Sequence, residues 1–85
     1  MNRIEMVQRA KDQLAQLTGF KAESISGMQW TGDSWNLTVE LLELKRIPNT
    51  GDVLATYEVA VDNIGNLITY QRTRRYLRGQ MEERL

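Results

Sequence analysis

Three groups of side chains in this 85-residue sequence have the types and spacing to do chemistry. Glu40, Glu58 and Asp62 lie in two segments where apolar and polar residues alternate, so on paired strands they share one face. Carboxylates gathered in this way are a hard-oxygen donor set for a divalent cation. Arg72, Arg74, Arg75 and Arg78 form the one basic cluster, interleaved with Tyr70 and Tyr76. Arginine and aromatic side chains together can stack on RNA bases. Trp30 and Trp35 bracket a short turn, a placement that could hold a sugar ring or a base.

Each group also has a structural explanation, and that explanation is the stronger one. The carboxylates fall on the face where a half-buried sheet is polar anyway. The arginines follow a stretch, residues 33–62, whose acidic side chains (Asp33, Glu40, Glu43, Asp52, Glu58, Asp62) outnumber its basic ones (Lys45, Arg46). A last strand beside that stretch would spend its arginines on charge pairs within the protein or with another protein. A cross-strand tryptophan pair contributes roughly 0.2–1 kcal/mol beyond burial, reason enough for its presence at a core edge. The sequence has no histidine and no cysteine, which removes the usual parts of nucleophilic, acid–base and zinc chemistry and all disulfides. No phosphate-binding or dinucleotide glycine pattern occurs. Catalysis, a cofactor and a metal are therefore not expected.

Bulk properties narrow the class further. Eleven basic and eleven acidic residues cancel, so nothing draws the chain as a whole to nucleic acid or an anionic membrane. No apolar run approaches the roughly 18 residues of a membrane span, and the N-terminus lacks the apolar core of a signal peptide. A cytoplasmic protein is the expectation.

The elements that position these side chains are legible from periodicity. An amphipathic helix is expected over residues 3–17, with Ile4, Val7, Ala10, Leu14 and Leu17 on one face, Asn2 as N-cap, Glu5 as its capping-box partner and Gly19 as C-cap. Strands are expected at about 23–30, 35–46, 53–62 and 67–75. The segment Thr31-Gly32-Asp33-Ser34 suits a two-residue hairpin that sets Trp30 opposite Trp35 and Met28 opposite Leu37, and Gly27 marks a bulge or a close backbone approach. Residues 1–85 thus form a single α+β domain, an N-terminal helix packed on one face of a four-stranded antiparallel meander sheet, ending in a short C-terminal helix or tail over Gln80–Leu85. The turn Asp62–Asn66 leaves the fourth strand two registers, one placing Ile68 and Tyr70 in the core and the other Leu67 and Thr69.

The hairpin from Trp35 to Asp62 changes character at its tip. After Leu41 the alternation fails, and pairing Val39 with Val59 would set Leu44 opposite Leu54 on the otherwise polar face. Leu42, Leu44 and Leu54 would then form an apolar patch beside Arg46, Ile47 and Pro48, covered either by the C-terminal segment or by another protein. Leu44→Asp or Leu54→Asp is expected to leave the fold intact and to abolish partner binding. With Arg72, Arg74, Arg75 and Arg78, this tip is the candidate partner-binding site.

The same residues carry a resemblance. Arg46-Ile47-Pro48 through Asp52-Val53-Leu54-Ala55, then Tyr57-Glu58-Val59, then Arg74-Arg75-Tyr76 with Arg78-Gly79, resemble the gas vesicle synthesis protein O family (GvpO), and Leu17-Thr18-Gly19 and Ser26-Gly27 fit as well. Several members of that family carry a long charged extension ahead of the matching domain, and the resemblance here is to the domain without it. It implies a non-enzymatic accessory protein for assembling gas vesicles, the hollow protein shells that give some prokaryotes buoyancy. Such a protein would be cytoplasmic and vesicle-associated, with other gas vesicle accessory proteins as partners and the small shell protein as a further candidate. It would bind neither nucleic acid nor membrane. Two alternatives stand beside it: a generic protein-binding or inhibitor-like module, and an RNA-binding domain using the Arg72–Arg78 segment. Nucleic-acid binding would weaken steeply with salt, whereas apolar docking would not.

Overall fold

The structure, a computed structural model, describes residues 2–79. It contains helix α1 (Arg3–Thr18) followed by strands β1 (Lys21–Trp30), β2 (Trp35–Leu44), β3 (Val53–Val61) and β4 (Leu67–Leu77), with one 3-10 turn at Asn49–Gly51. The strands form one antiparallel sheet in the order β1-β2-β3-β4, and α1 lies on one face. This is the expected α+β meander. The expected C-terminal helix or tail falls on Gln80–Leu85, outside the described residues.

Helix α1 begins where its cap residue dictates. The Asn2 side-chain oxygen accepts the Glu5 N–H at 2.8 Å, and Asn2 Nδ2 donates back to Glu5 Oε1 at 3.0 Å, so two otherwise idle groups satisfy each other. It ends at Gly19, whose φ of 76° lets its N–H reach the Ala15 carbonyl at 2.8 Å. The packed stripe differs from the expected one. Met6, Ala10 and Leu14 are fully buried and Val7 packs beside them, but Ile4 is 80% exposed and Leu17 is exposed too. At 100° per residue Ile4 falls about 120° from Ala10, off the packed line, and burial along the helix ends at Leu14. Gln13 fixes that rotation: its amide donates to the Gly65 carbonyl at 2.6 Å and accepts from the Leu67 N–H at 3.1 Å, clamping the helix to the turn between β3 and β4.

The first hairpin follows its turn chemistry. Thr31 N–H bonds the Ser34 carbonyl at 2.9 Å with Gly32 at φ 105°, and Trp30 faces Trp35 with ring centroids 5.2 Å apart. Met28 pairs with Leu37, and the register slips beside Gly27, where an added Cβ would sit 3.1 Å from Thr38 Oγ1. The second hairpin departs from expectation by two residues. Val39 pairs with Tyr57 rather than Val59, and Leu42 rather than Leu44 lies opposite Leu54. A longer tip accounts for one of the two, setting Leu44 opposite Val53, and a bulge between Leu42 and Leu44 for the other. Strand β2 stops at Leu44, and Arg46 N–H turns back to donate to Asp52 Oδ1 at 2.8 Å.

Strand β4 combines the two expected registers. Leu67 pairs with Val61 and Tyr70 with Val59, and a bulge takes up Ile68, which is exposed. One residue inserted at a bulge moves a whole alternation to the other face, so Leu67 and Tyr70 both fall on the helix side of one strand, but Tyr70 is exposed there rather than in the core as expected. The core between α1 and the sheet is built from Leu14 with Leu37, Val39, Leu41, Val59 and Val61, all essentially inaccessible. Each leucine so buried contributes about 1.5–3 kcal/mol against exposure.

Candidate partner-binding site

The tip is organised by one carboxylate. Asp52 is only 3% exposed, yet its neighbours supply three donors: Arg46 N–H to Oδ1 at 2.8 Å, and Arg78 Nε at 3.2 Å and Nη2 at 3.1 Å to Oδ2. The Arg46 backbone N–H and then the Arg78 guanidinium hold its carboxyl below the ordinary value, against the opposing pull of burial. Arg78 also binds Glu23 on β1, and its own backbone N–H reaches the Asp52 carbonyl at 3.0 Å. One side chain thus links the residue after β4, the start of β3 and the opposite edge strand. Asp52 and Glu23 were not singled out by sequence reading. For Asp52 a signal existed, an aspartate directly after Asn-Thr-Gly, a position suited to accepting loop N–H groups.

The expected leucine patch is divided by a bulge. Leu42 and Leu54 are cross-strand partners on the face away from α1, but Glu43 is an extra residue, so Leu44 pairs with Val53 instead. Paired residues project to the same face, which puts Leu44 with Val53 and Leu77 in a row on the helix side, beyond the helix. Leu44 is 43% exposed, Leu77 is also exposed, and Ile47 at the tip is 99% exposed. Leu54 is covered, at 4% exposure, with Tyr76 of β4 as its other cross-strand partner. Of the two expected covers for Leu54, the C-terminal end of this chain supplies one. Leu54→Asp would therefore bury a charge, and the expectation that it spares the fold is corrected. Arg46 and Pro48 are exposed in the loop, with the Arg46 stem against Gly51 and a cis Ile47–Pro48 bond.

The arginines take the partners that the acidic hairpin offers. Arg72 Nη1 and Arg75 Nε hold the two oxygens of Glu43 at 3.2 and 3.0 Å, reaching over β3 to do so. The Glu43 side chain is 5% exposed, whereas those of Arg72 and Arg75 are 50% and 58% exposed. Two cations against one carboxylate leave a net positive charge on the helix side of β4. Sequence reading counted Glu43 among the acidic side chains available to these arginines but did not single it out, although a glutamate set between Leu42 and Leu44 was a visible break in pattern. Arg74 stacks its guanidinium over Tyr76 at 4.4 Å on the other face.

That other face is a polar lattice. Glu40 accepts from Thr56 Oγ1 at 2.7 Å, Tyr76 Oη at 2.7 Å and Ser26 Oγ at 2.8 Å, and Glu58 accepts from Asn36 Nδ2 at 2.7 Å and Thr38 Oγ1 at 3.0 Å. Burial, and next the hydrogen bond to Glu40, push the Tyr76 phenol up to about 12. Asp62 is occupied within its own turn, accepting the Ile64 and Asn66 N–H groups at 3.0 and 2.8 Å. Glu40, Glu58 and Asp62 are thereby committed to strand and turn, and among the described residues no group of three potential ligands is placed to hold a metal ion. Nor is any helix among them long and apolar enough to cross a membrane.

Comparison with known proteins places the chain beside gas vesicle proteins. Residues 1–82 match the family model described as gas vesicle synthesis protein GvpO. The chain is 53% identical over 70 residues to gas vesicle protein O of Streptomyces sp. (strain CB03234), covering 82% of this chain and 55% of that protein. It is 35% identical over 78 residues to gas vesicle protein O of Haloferax mediterranei, covering 91% and 56%, and 30% identical over 77 residues to gas vesicle protein O1 of Halobacterium salinarum, covering 91% and 65%. The chain therefore spans just over half the length of the first two of these relatives. No solved structure matches it.

Proposed function

This chain belongs to the gas vesicle synthesis protein GvpO family, and from that membership we propose that it is a non-enzymatic accessory factor in gas vesicle assembly. It acts by binding other gas vesicle proteins, with accessory proteins the first candidates and the shell protein a further one, in the cytoplasm at the growing vesicle. The observation that carries the reading is the tip. Ile47 is almost wholly exposed on a loop that Asp52 holds in place, next to the exposed row of Leu44 and Leu77. A fixed loop presenting apolar side chains beside Arg46 suits recognition of a protein surface. The RNA reading loses its support where Arg72, Arg75 and Arg78 are drawn into pairs with Glu43, Asp52 and Glu23.

The test is genetic and biochemical together. Deleting the gene in a vesicle-forming host should remove vesicles from electron micrographs, and the tagged wild-type protein should restore them and co-purify with identified gas vesicle proteins. Unchanged vesicles in the deletion strain would end the proposal.

A further inference from the structure

Strand β1 forms one edge of the sheet, and among the described residues no strand pairs with its outer side. It carries only two charges, Lys21 and Glu23, and Glu23 is turned to Arg78. Exposed edges are normally guarded by charge, proline or bulges. The guard here is a pair of bulges, one between Ala22 and Ser24 and one between Ile25 and Gly27. A straight strand laid along β1 would lose register at each of them.

The bulges also create a symmetry. Ala22, Ile25 and Met28 pair with the core residues Leu41, Val39 and Leu37, and Trp30 pairs with Trp35, so all four project to the helix side. Phe20 packs against the same core just before the strand. From Phe20 to Trp30 these positions are spaced two, three, three and two residues apart, a pattern that reads the same in both directions from Ile25. None of the five is fully buried, and Trp30 is 45% exposed. An antiparallel second copy turned about Ile25 sets Ile25 on Ile25, Ala22 on Met28 and Phe20 on Trp30. Three-residue steps on one strand then face three-residue steps on the other, so bulges that reject a straight strand match between copies. Lys21 falls opposite Gln29, Glu23 opposite Gly27 and Ser24 opposite Ser26, so no like charges meet across the ladder.

We infer that the chain forms a two-fold dimer by joining β1 edges antiparallel about Ile25, turning two four-stranded sheets into one continuous sheet with both helices on the same face. Strand β1 starts beside Leu42, at the tip end of β2, and finishes at the turn into Trp35. Reversing its direction across the two-fold points the two tips away from each other. On the reading of the tip as partner surface, the dimer presents that surface twice, at opposite ends. The dimer is measured on the isolated chain, so its failure would leave the tip-mediated role standing.

Analytical ultracentrifugation from micromolar to near-millimolar protein should show the species passing from the chain mass to twice that mass. Over the same range the amides of Ser24 to Met28 should exchange more slowly as protein concentration rises. Two exposed positions test the register without touching the core. Gln29→Lys sets lysines opposite each other at both ends of the ladder and should raise the dimer dissociation constant about tenfold. Adding Lys21→Glu converts both contacts to opposite charges and should restore the dimer to at least wild-type strength. Circular dichroism of each variant confirms the fold. A chain that stays monomeric throughout would overturn the inference. So would a dimer indifferent to Gln29→Lys, or one that Lys21→Glu fails to recover. Concentration-dependent shifts confined to β4 or the tip loop would place self-association elsewhere and overturn it too.

Discussion

Arg78 meets Asp52 three times, its backbone N–H on the Asp52 carbonyl at 3.0 Å and its Nε and Nη2 on Oδ2 at 3.2 and 3.1 Å. With the Arg46 N–H on the other carboxylate oxygen, Asp52 ties the loop of the second hairpin to the end of β4. The Asp52 carboxyl is held below its ordinary value of 3.8 by the Arg46 N–H first and by Arg78 next. A depressed folded-state pKa stabilises the protein above the unfolded-state value, and that stabilisation is lost as pH falls through the folded-state value. The tip should therefore be steady at neutral pH and loosen below about pH 4. Thermal melts across that range should show Asp52→Asn less stable than the wild type at neutral pH, with the difference narrowing in acid. A constant difference at all pH values would contradict the assignment.

Among the described glycines, Gly65 makes the tightest approach to its neighbours. Its φ is 88°, and a Cβ there would sit 2.8 Å from the Met6 carbonyl oxygen, in the first half of α1. Gly32 has φ 105° but open space around it. Gly32→Ala should then lose only the conformational term, about 1 kcal/mol, while Gly65→Ala adds a helix displacement and should cost roughly 2–3 kcal/mol. Urea unfolding of both variants checks the order; equal losses would show that the helix does not pack against this turn as described.

How much of this was legible follows from which residues carry local information. Alternation, turn glycines and caps are local, so the helix, four strands, Trp30–Trp35 pairing and Asn2 and Gly19 caps could all be read. Insertions are not. The bulges that take up Glu43 and Ile68 are set by how β3 accepts its neighbours, and each moved a side chain across the sheet: Leu44 away from Leu54, and Tyr70 into line with Val59. The same limit applies to the site. The exposed apolar tip and the arginine cluster were visible as residue types, but the carboxylates that hold them, Glu43, Asp52 and Glu23, come together only through pairing distant in sequence.

The helix stripe offers a direct check of such a correction. Leu14 is fully buried, whereas Ile4 and Leu17 are mostly exposed despite fitting a simple three–four spacing. Leu14→Ala should cost about 2–5 kcal/mol, and Ile4→Ala and Leu17→Ala within about 0.5 kcal/mol of nothing. A large loss from Ile4→Ala would restore the stripe that spacing alone suggests.

Tyr76 should report its own bond. Its phenol is raised to about 12, by burial first and by the bond to Glu40 second. A folded-state pKa above the unfolded value of about 10 gives stability that is intact below pH 10 and lost as pH rises toward 12. Tyr76→Phe removes the titrating group, so its alkaline unfolding should begin at higher pH than that of the wild type. Absorbance of tyrosinate in the folded protein should show the last phenol ionising near 12 in the wild type and not in the variant. If the variant still shows it, Tyr57, itself raised by burial and by Glu43, is the late group instead.

The tip separates folding from binding most cleanly through two substitutions of the same chemistry. Ile47 has almost no contact to lose, so Ile47→Asp should change unfolding free energy by no more than about 0.5 kcal/mol. Leu54 is covered, so Leu54→Asp places an unpaired carboxylate in an apolar setting and should cost several kcal/mol, about 3–5. If the tip is the partner surface, Ile47→Asp combined with Leu44→Asp should abolish co-purification with gas vesicle proteins while circular dichroism and melting stay near wild type. Leu54→Asp should also lose vesicles, but through loss of folded protein, visible as a drop in soluble yield. Normal vesicles and undiminished co-purification from a folded Ile47→Asp/Leu44→Asp protein would move the partner surface away from the tip.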